Sequence, residues 1–264
     1  MEMLKDINLQ YYGTVLKHLK INTLEDYRCS EILNDIIPST WNALILKTLK
    51  DLIYGKKVFI FGAGPSLEES ILRVKLLYGE TVFIAANGAS EALIEKNIIP
   101  NIIVTDLDGR IEPILKALAY GSIIVVHGHG DNILKVLKYV PKFKGKVLGT
   151  TQLIPWGYLE NYGGFTDGDR ALYLALHFGA KKIFLFGMDF GNIVGKYSKP
   201  WLKNHVKVWD MKKKKFLIAK ILIENAAKHY RDKVEIFIVP RNAENIKYVL
   251  EVKYDRLGSI VRKN

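Results

Sequence analysis

From Lys57 onward, the chain alternates between short runs of apolar residues and longer amphipathic stretches. Seven of the runs are rich in Val, Ile and Phe, which is typical of strands buried on both faces. Apolar residues at helical spacing follow most of them, for example at residues 67–78, 90–96, 170–178 and 211–230. The pattern predicts an α/β fold with a doubly wound, mostly parallel, Rossmann-like sheet. Its strands are expected near residues 57–62, 81–86, 101–105, 122–127, 146–150, 181–187 and 234–239.

The chain before this alternation has a helical pattern. Apolar residues recur at helical spacing from Trp41 to Leu49, directly after a helix-start signal at Pro38, Ser39 and Thr40. We therefore expect a small helical N-terminal region at residues 1–55 and an α/β catalytic domain at residues 56–264. Residues 192–210 interrupt the later rhythm and are expected to form a loop that serves as a lid.

The start of the sequence and its cysteine content bear on the cellular compartment. Residues 1–6 lack the pattern of a secretory signal peptide, and no apolar run reaches membrane-spanning length. Cys29 is the single cysteine, which excludes an internal disulfide and suits a reducing environment. We therefore expect a cytoplasmic protein without a membrane partner.

The net charge is strongly positive, at +12 from 39 Lys and Arg against 27 Asp and Glu. Such an excess suggests acidic partners, either nucleotides or nucleic acid. The lysines are nevertheless scattered, and only residues 212–215 form a run. This distribution favours a solvated basic surface, so we expect small-molecule substrates, no nucleic acid, and little effect of residues 212–215 on substrate binding.

The third predicted strand ends in two closely spaced acids, Asp106 and Asp108, followed by Arg110. In open α/β sheets, ligands bind at the carboxyl edge of the strands, where both side chains are expected. Two carboxylates so close repel each other unless a cation or proton lies between them, and such oxygen ligands suit Mg²⁺ or Mn²⁺ bound to phosphates. The alternative is that one Asp caps a turn and the other is only exposed.

The first two strands end in turns with polar residues. Gly62 and Gly64 allow a tight turn and the close approach of a ligand to the backbone. Ser66 and Glu69 have the spacing of a capping box, so a helix with an anion-binding N-terminus is expected there. The alternative is a turn without a ligand. Asn87 ends the second strand as a turn residue or as an amide that contacts a base or phosphate.

A glycine-rich stretch precedes the helix at residues 170–178 and contains Thr166, Asp167, Asp169 and Arg170. Thr166 or Asp167 has the residue type of a helix N-cap, but a second acidic pair at a loop-to-helix junction also suits metal binding. Further polar residues at strand ends are Asp189 after the sixth strand, and His127 and His129 after the fourth. Glycines, carboxylates and arginine together favour phosphoryl-type transfer, in which metal ions provide much of the electrostatics.

The motifs taken together resemble a known family, the archaeal 6-hydroxymethyl-7,8-dihydropterin pyrophosphokinases of methanopterin biosynthesis. The similarity extends over roughly residues 40–240. That family is distantly similar to thiamin pyrophosphokinases, which implies a thiamin pyrophosphokinase-like fold. Arg170 stands where those enzymes carry lysine, which keeps the charge but changes the geometry. The matching motifs lie, in this order, at residues 62–66, 86–89, 105–109, 164–171 and 187–190.

The resemblance implies a Mg²⁺-dependent transfer of the β,γ-diphosphate of ATP to the hydroxymethyl oxygen of the pterin, with release of AMP. ATP and hydroxymethyl-dihydropterin would be the substrates, and a homo-oligomer is possible. The candidate residues have three roles, which are metal binding, catalysis and substrate binding. The metal would be held by Asp106, Asp108, Asp167 and Asp169, and Arg170 would act with the first three in catalysis.

The remaining candidate residues are expected to bind the substrates. Gly62, Gly64 and Ser66 would hold phosphate or pterin through backbone N–H groups, and Arg110 and Arg170 would offset the charge of the triphosphate. Asn87 and Asp189 would meet the polar edge of the pterin ring, and Trp201 or Tyr197 would cover it.

Three other functions remain open at the level of sequence. A nucleotide-sugar glycosyltransferase also uses an Asp-x-Asp pair with Mn²⁺ on an α/β sheet. A redox enzyme is weaker, because Leu67 replaces the third glycine of the dinucleotide fingerprint and Asn87 replaces the acid after the second strand. A nucleic-acid-binding module would use the positive charge and leave the acidic edge unexplained.

Overall fold

The computed structural model describes residues 22–37, 39–240 and 245–263. Within these residues, eight parallel strands form the main sheet, and a separate antiparallel pair is formed by β7 and β8. The order across the main sheet is β10-β9-β6-β1-β2-β3-β4-β5. The strands are β1 (Lys57–Phe61), β2 (Val82–Ala86), β3 (Ile102–Thr105), β4 (Ile123–His127), β5 (Val147–Thr150), β6 (Lys182–Phe186), β7 (Ile193–Val194), β8 (Val206–Lys207), β9 (Glu235–Val239) and β10 (Leu250–Glu251).

All seven predicted strands are confirmed, as β1 to β6 and β9, with each end within one residue of its expected position. Their apolar side chains alternate between the two faces of the sheet, so both faces can be buried. In β1, Val58 and Ile60 contribute to an aliphatic core on one face, whereas Phe59 and Phe61 contribute to an aromatic core on the other. The sequence analysis missed β7, β8 and β10, because two residues are too few to show a pattern.

Helices cover both faces of the sheet, which confirms the doubly wound α/β fold. The aliphatic core is covered by α2, α7 and α8, and the aromatic core by the other helices. The helices are α1 (Thr23–Ile36), α2 (Ser39–Ile53), α3 (Leu67–Val74), α4 (Ala89–Glu95), α5 (Ile111–Ala119), α6 (Ile133–Tyr139), α7 (Asp167–His177), α8 (Asp210–Tyr230) and α9 (Tyr254–Arg262). Short 3₁₀ helices lie at Lys75–Leu77, Gly130–Asn132, Val140–Phe143 and Lys196–Ser198.

The N-terminal region is helical where the structure describes it. Helices α1 and α2 cover most of residues 22–53, and each packs on one face of the sheet. Residues 1–21 of the predicted helical region lie outside the described residues. The division of the chain at residue 55 into two parts therefore stays a prediction.

The order of the strands determines where a ligand can bind. From β1 the chain proceeds outward through β2, β3 and β4 to β5, and then crosses to β6 on the other side of β1. At such a reversal the loops leaving adjacent strands diverge and leave a crevice at the carboxyl edge. In the described part of the chain, no helix is both long and apolar enough to cross a membrane.

Candidate active site

A cavity of about 600 Å³ opens at the carboxyl edge of the sheet, along the loops that follow β1 to β6. The rest of its wall is formed by the start of α1, by the segment between β6 and α8, and by the first turns of α7 and α8. Most of the residues predicted from the sequence to form the site are brought together here. Those on the cavity wall are Gly62, Gly64, Asn87, Asp106, Asp108, Asp167, Asp169, Arg170 and Asp189.

The turn after β3 presents both of its acids to the cavity. Leu107, between them, has a left-handed backbone with a φ of 63° and buries its side chain in the aromatic core. The Leu107 N–H donates to Thr105 Oγ1 at 2.8 Å, and the Asp108 N–H donates to Asp106 Oδ1 at 3.0 Å. Because the intervening side chain points inward, Asp106 and Asp108 lie together on the cavity wall.

Asn87 fixes the positions of these two carboxylates. Its Nδ2 donates to Asp106 Oδ1 at 3.0 Å and also to Asp108, and its Oδ1 accepts from Thr105 Oγ1 at 3.2 Å. A φ of 43° allows this geometry, which asparagine tolerates better than most residues. The amide is thus engaged with the turn after β3, which does not support the expectation that Asn87 reads the pterin ring.

Asp167, the first residue of α7, brings a third carboxylate to the same place. Burial, followed by the charges of Asp106 and Asp108, raises the pKa of Asp167 well above its ordinary value. Three carboxylates that repel one another in a half-buried site favour the binding of a cation. Oxygen ligands of this type suit Mg²⁺, so the donor set fits the metal that the sequence analysis expects.

The three carboxylates do not have the geometry of a formed metal site. Within the described residues, no group of three or more His, Cys, Asp or Glu side chains has the geometry of a metal centre. Instead, the ammonium of Lys199 pairs with Asp108. Burial opposes the charge of Lys199, but the carboxylates of Asp108, Asp106 and Asp167 outweigh it and raise the lysine pKa.

Asp169 has a structural role in the first turn of α7. Its carboxylate accepts hydrogen bonds from the N–H groups of Phe165 at 2.6 Å and Thr166 at 2.8 Å, and from the Thr166 hydroxyl. This is a capping box with Thr166 as the N-cap. The geometry therefore does not support Asp169 as a metal ligand, because both of its oxygens are used to begin the helix.

The loop at residues 62–66 differs from its prediction. The N–H groups of Gly62, Gly64 and Ser66 donate to Phe186 O at 2.8 Å, Gly187 O at 2.8 Å and Asp189 Oδ2 at 3.0 Å. They are therefore not free to hold a phosphate, and this part of the expectation is not supported. The Asp189 carboxylate occupies the position at which an anion was expected.

The helix α3 begins after Ser66 as predicted, but without the capping box. Ser66 has a helical backbone and makes no side-chain cap hydrogen bond. Glu69 instead pairs with Arg73 one turn later, at 3.4 Å. Glycine is required at position 62 for packing, because a Cβ there would lie 2.8 Å from Gly187 O.

Besides Ser66, three residues predicted to bind substrates are not part of the cavity wall. Arg110 pairs with Glu91 at 3.0 Å on the surface. Tyr197 donates its hydroxyl hydrogen bond to Glu95, and Trp201 is 67% exposed. The aromatic residues that do line the cavity were missed by the sequence analysis, and they are Phe165, Phe190, Trp209 and Phe216.

Three lysines also line the cavity, and they are Lys199, Lys212 and Lys215. Burial, together with the charges of Lys199 and Lys215, lowers the pKa of Lys212 to about 8. The expectation that residues 212–215 lie far from the site is therefore wrong for Lys212 and Lys215. Their spacing of three residues places them on one face of α8, and this is the signal that could have identified them.

Comparisons with known proteins identify the family of the chain. The family model described as 6-hydroxymethylpterin diphosphokinase MptE-like matches residues 35–195. The 6-hydroxymethyl-7,8-dihydropterin pyrophosphokinase of Pyrococcus furiosus is 44% identical over 229 residues, which cover 87% of this chain and 96% of that protein. The chain belongs to the MptE-like 6-hydroxymethylpterin diphosphokinase family. The resemblance inferred from the motifs is thereby confirmed.

Two further comparisons place this MptE-like protein among its relatives. The pyrophosphokinase of the same name from Methanocaldococcus jannaschii is 44% identical over 235 residues, which cover 86% of this chain and 95% of that protein. Among solved structures, the MAf glycosyltransferase from Magnetospirillum magneticum AMB-1 matches with a TM-score of 0.53 and 18% identity, over 84% of this chain and 39% of that one. At such low identity the match shows a shared fold and nothing about the reaction.

Proposed function

We propose that this protein transfers the β,γ-diphosphate of ATP to the hydroxymethyl group of 6-hydroxymethyl-7,8-dihydropterin and releases AMP. One observation carries the proposal beyond the family match. Three carboxylates, from Asp106, Asp108 and Asp167, share a single cavity with three lysines at the switch point of the sheet. A polyphosphate with a bound divalent cation matches this arrangement of opposite charges.

Each wall of the cavity has a separate role in this proposal. Asp106, Asp108 and Asp167 would hold Mg²⁺, which when bound neutralises charge on the phosphates. Lys199, Lys212 and Lys215 would contact the phosphate oxygens directly. The hydroxymethyl oxygen forms a bond to the β-phosphorus, the bond from that phosphorus to the α–β bridging oxygen breaks, and AMP leaves while the hydroxyl proton is released.

The experiment is an assay of the purified protein with ATP, Mg²⁺ and 6-hydroxymethyl-7,8-dihydropterin, in which AMP and the pterin diphosphate are separated by chromatography. Both products should form in equal amounts and only when all three components are present. Replacing ATP by nucleotide sugars tests the glycosyltransferase alternative, for which we expect no turnover. Failure to form AMP, or consumption of a nucleotide sugar, would contradict the proposal.

Two variants connect this activity to the acidic wall. Asp108→Asn should lose at least about 100-fold in kcat, equivalent to about 2.7 kcal/mol of barrier. Asp51→Asn, which changes an exposed acid on α2, should leave both kcat and the melting temperature unchanged. Equal activity of the two variants at limiting Mg²⁺ would exclude the metal role of Asp108.

A further inference from the structure

The two ends of the cavity carry opposite charges. We define the lysine end by Lys199, Lys212 and Lys215, near the aromatic rings of Phe190 and Phe216. The acidic end is formed by α1 and by the loops after β4 and β5, and it contains Glu25, Asp26, His127, His129, Asp131 and Gln152. Among the described residues, Arg170 is the one arginine of the cavity wall, and its guanidinium bonds to Gln152 at this end, where the three carboxylates outnumber it. A triphosphate is attracted to the first end and repelled by the acids of the second, so the uncharged substrate should occupy the acidic end.

The acidic end contains a buried cluster of polar side chains. Asp26 is only 2% exposed, and it accepts hydrogen bonds from the Gly130 N–H at 2.8 Å and from Gln152 Nε2 at 2.6 Å. Arg170 donates to Gln152 Oε1 at 3.4 Å. Gln152 is therefore held in one orientation from both sides, as expected of a side chain that recognises a planar ligand.

His127 has a ring nitrogen without a partner at this end of the cavity. It is 3% exposed, and its Nδ1 lies 3.4 Å from Thr150 Oγ1, but no described residue makes a hydrogen bond to Nε2. Burial, followed by the Arg170 charge, lowers the pKa of His127 well below its ordinary value, so the imidazole is neutral. Gln152 is a near neighbour of the ring and opposes the lowering of the His127 pKa. A buried polar atom without a partner destabilises the protein, and a bound ligand that hydrogen-bonds to it would recover that free energy.

We propose that the pterin ring binds at the acidic end, with its 2-amino-4-oxo edge against His127, Gln152 and Asp26. This inference rests on the proposed function and names the side chains that select the ring. The edge offers several hydrogen-bond donors and acceptors in one plane, which suit a carboxylate, an amide and a neutral imidazole. Asn87 and Asp189, the residues predicted from the sequence for this role, follow β2 and β6 and lie outside the acidic end.

Asp106 lies at the boundary between the two ends. On the acidic side, His129 Nε2 is 3.7 Å from Asp106 Oδ2. On the other side, the Asn87 amide donates to both Asp106 and Asp108, and Asp108 pairs with Lys199 of the lysine end. A pterin at the acidic end would thus direct its hydroxymethyl group toward the carboxylates and the β-phosphate of a nucleotide at the lysine end. The proposed reaction would take place over the Asp106–Asp108 turn.

Separate binding measurements for the two substrates test this placement. The affinity for 6-hydroxymethylpterin, the fluorescent oxidised form, would be measured by fluorescence titration without ATP, and that for a non-hydrolysable ATP analogue by calorimetry. His127→Phe and Gln152→Leu should each weaken pterin binding at least tenfold and change nucleotide affinity less than twofold. The matched control at the other end, Lys215→Gln, should show the opposite pattern.

A ratio of affinities gives a readout that does not depend on the fraction of folded protein. The wild type should prefer 6-hydroxymethylpterin over 6-hydroxymethyllumazine, in which an oxo group replaces the 2-amino group, and Gln152→Leu should reduce this preference at least fivefold. Unchanged preference and unchanged pterin affinity in the His127 and Gln152 variants, with AMP still formed, would overturn the placement alone. A wild type that binds no pterin would overturn the proposed function and this inference together.

Discussion

At the scale of single residues, three of the six non-glycine residues with positive φ in the described part of the chain lie where strands end in the site. Asn87, Leu107 and Phe190 follow or lie near the ends of β2, β3 and β6, and their φ angles are 43°, 63° and 49°. Such a conformation costs a bulky residue such as leucine about 1 kcal/mol or more. The packing of Leu107 in the core offsets that cost, and the benefit is a fixed pair of carboxylates on the cavity wall.

Lys212 should show the conflict between stability and ligand binding most clearly. Burial and neighbouring lysines lower its folded-state pKa to about 8, from an ordinary value of 10.5 that applies to the unfolded chain. Between these two pH values the unfolded chain binds more protons, so the free energy of unfolding rises with pH in that window. Below it, Lys212 destabilises the ligand-free protein by on the order of 3 kcal/mol.

Replacing Lys212 by methionine should therefore stabilise the protein at neutral pH and weaken nucleotide binding. Without Mg²⁺ or ATP, Lys212→Met should melt at a higher temperature than wild type at pH 7, and the difference should shrink as the pH approaches 10. Thermal unfolding across this pH range measures the effect, with Lys213→Met on the exposed side of the helix as the control. A pH-independent difference between Lys212→Met and wild type would contradict the assigned pKa.

At the scale of elements, the first turn of α7 separates a structural acid from a proposed metal ligand. Asp169→Asn should lower the free energy of unfolding by about 1–2 kcal/mol, because the amide satisfies the capping N–H groups less well. The Mg²⁺ concentration for half-maximal activity should not change. Asp167→Asn should do the reverse, with equal or greater stability, because it removes a buried charge that Asp106 and Asp108 repel, and with a raised Mg²⁺ requirement. If Asp169→Asn alone raised the Mg²⁺ requirement, the capping role would be insufficient to explain this residue.

The segment from β7 to β8 lies over the site and is held by close backbone contacts. A Cβ on Gly88 would collide with the Tyr197 carbonyl, although the Gly88 φ of −62° is suitable for alanine. Gly88→Ala should therefore cost about 1–3 kcal/mol and reduce activity, because Lys199 belongs to the displaced segment. A Cβ added at Gly258 in α9 would have no neighbouring atom within 4 Å, so Gly258→Ala should stabilise the protein by about 0.5–1 kcal/mol. Thermal unfolding and the AMP assay compare the two, and equal stability would refute the packing argument.

An element can be predicted from the sequence when the residues that determine its structure lie within the element itself. The buried strands are predictable because each apolar run of Val, Ile and Phe has its pattern within five residues. Loop side chains are less predictable, because neighbouring elements decide where they point. Arg110 pairs with Glu91 outside the cavity, and Ser66 lacks its expected cap because Asp189 binds its N–H group. Asp106, Asp108 and Asp167 line one cavity as expected, because each lies in a segment that leaves the carboxyl edge of the sheet, after β3 or after β5.

At the scale of the whole molecule, the net charge of +12 does not act as a uniform basic surface. The cavity alone contains both an acidic and a basic end, and the pairing of Lys199 with Asp108 connects them. Exposed charges farther than about 8 Å from a ligand are largely screened at physiological salt. The position of a lysine relative to the cavity should therefore matter more for nucleotide binding than the total charge.

The lysine run on α8 allows this to be tested at constant net charge. Lys212 and Lys215 line the cavity, whereas Lys213 and Lys214 are exposed away from its wall. The double variant Lys212→Gln/Lys215→Gln should raise the KM for ATP at least tenfold, about 1.4 kcal/mol, while Lys213→Gln/Lys214→Gln should leave it within about twofold. Both variants remove two positive charges from the same helix, so steady-state kinetics at fixed ionic strength isolates position from charge. Equal effects of the two double variants would mean that the basic surface as a whole attracts the nucleotide, and the lysine end would lose its special role.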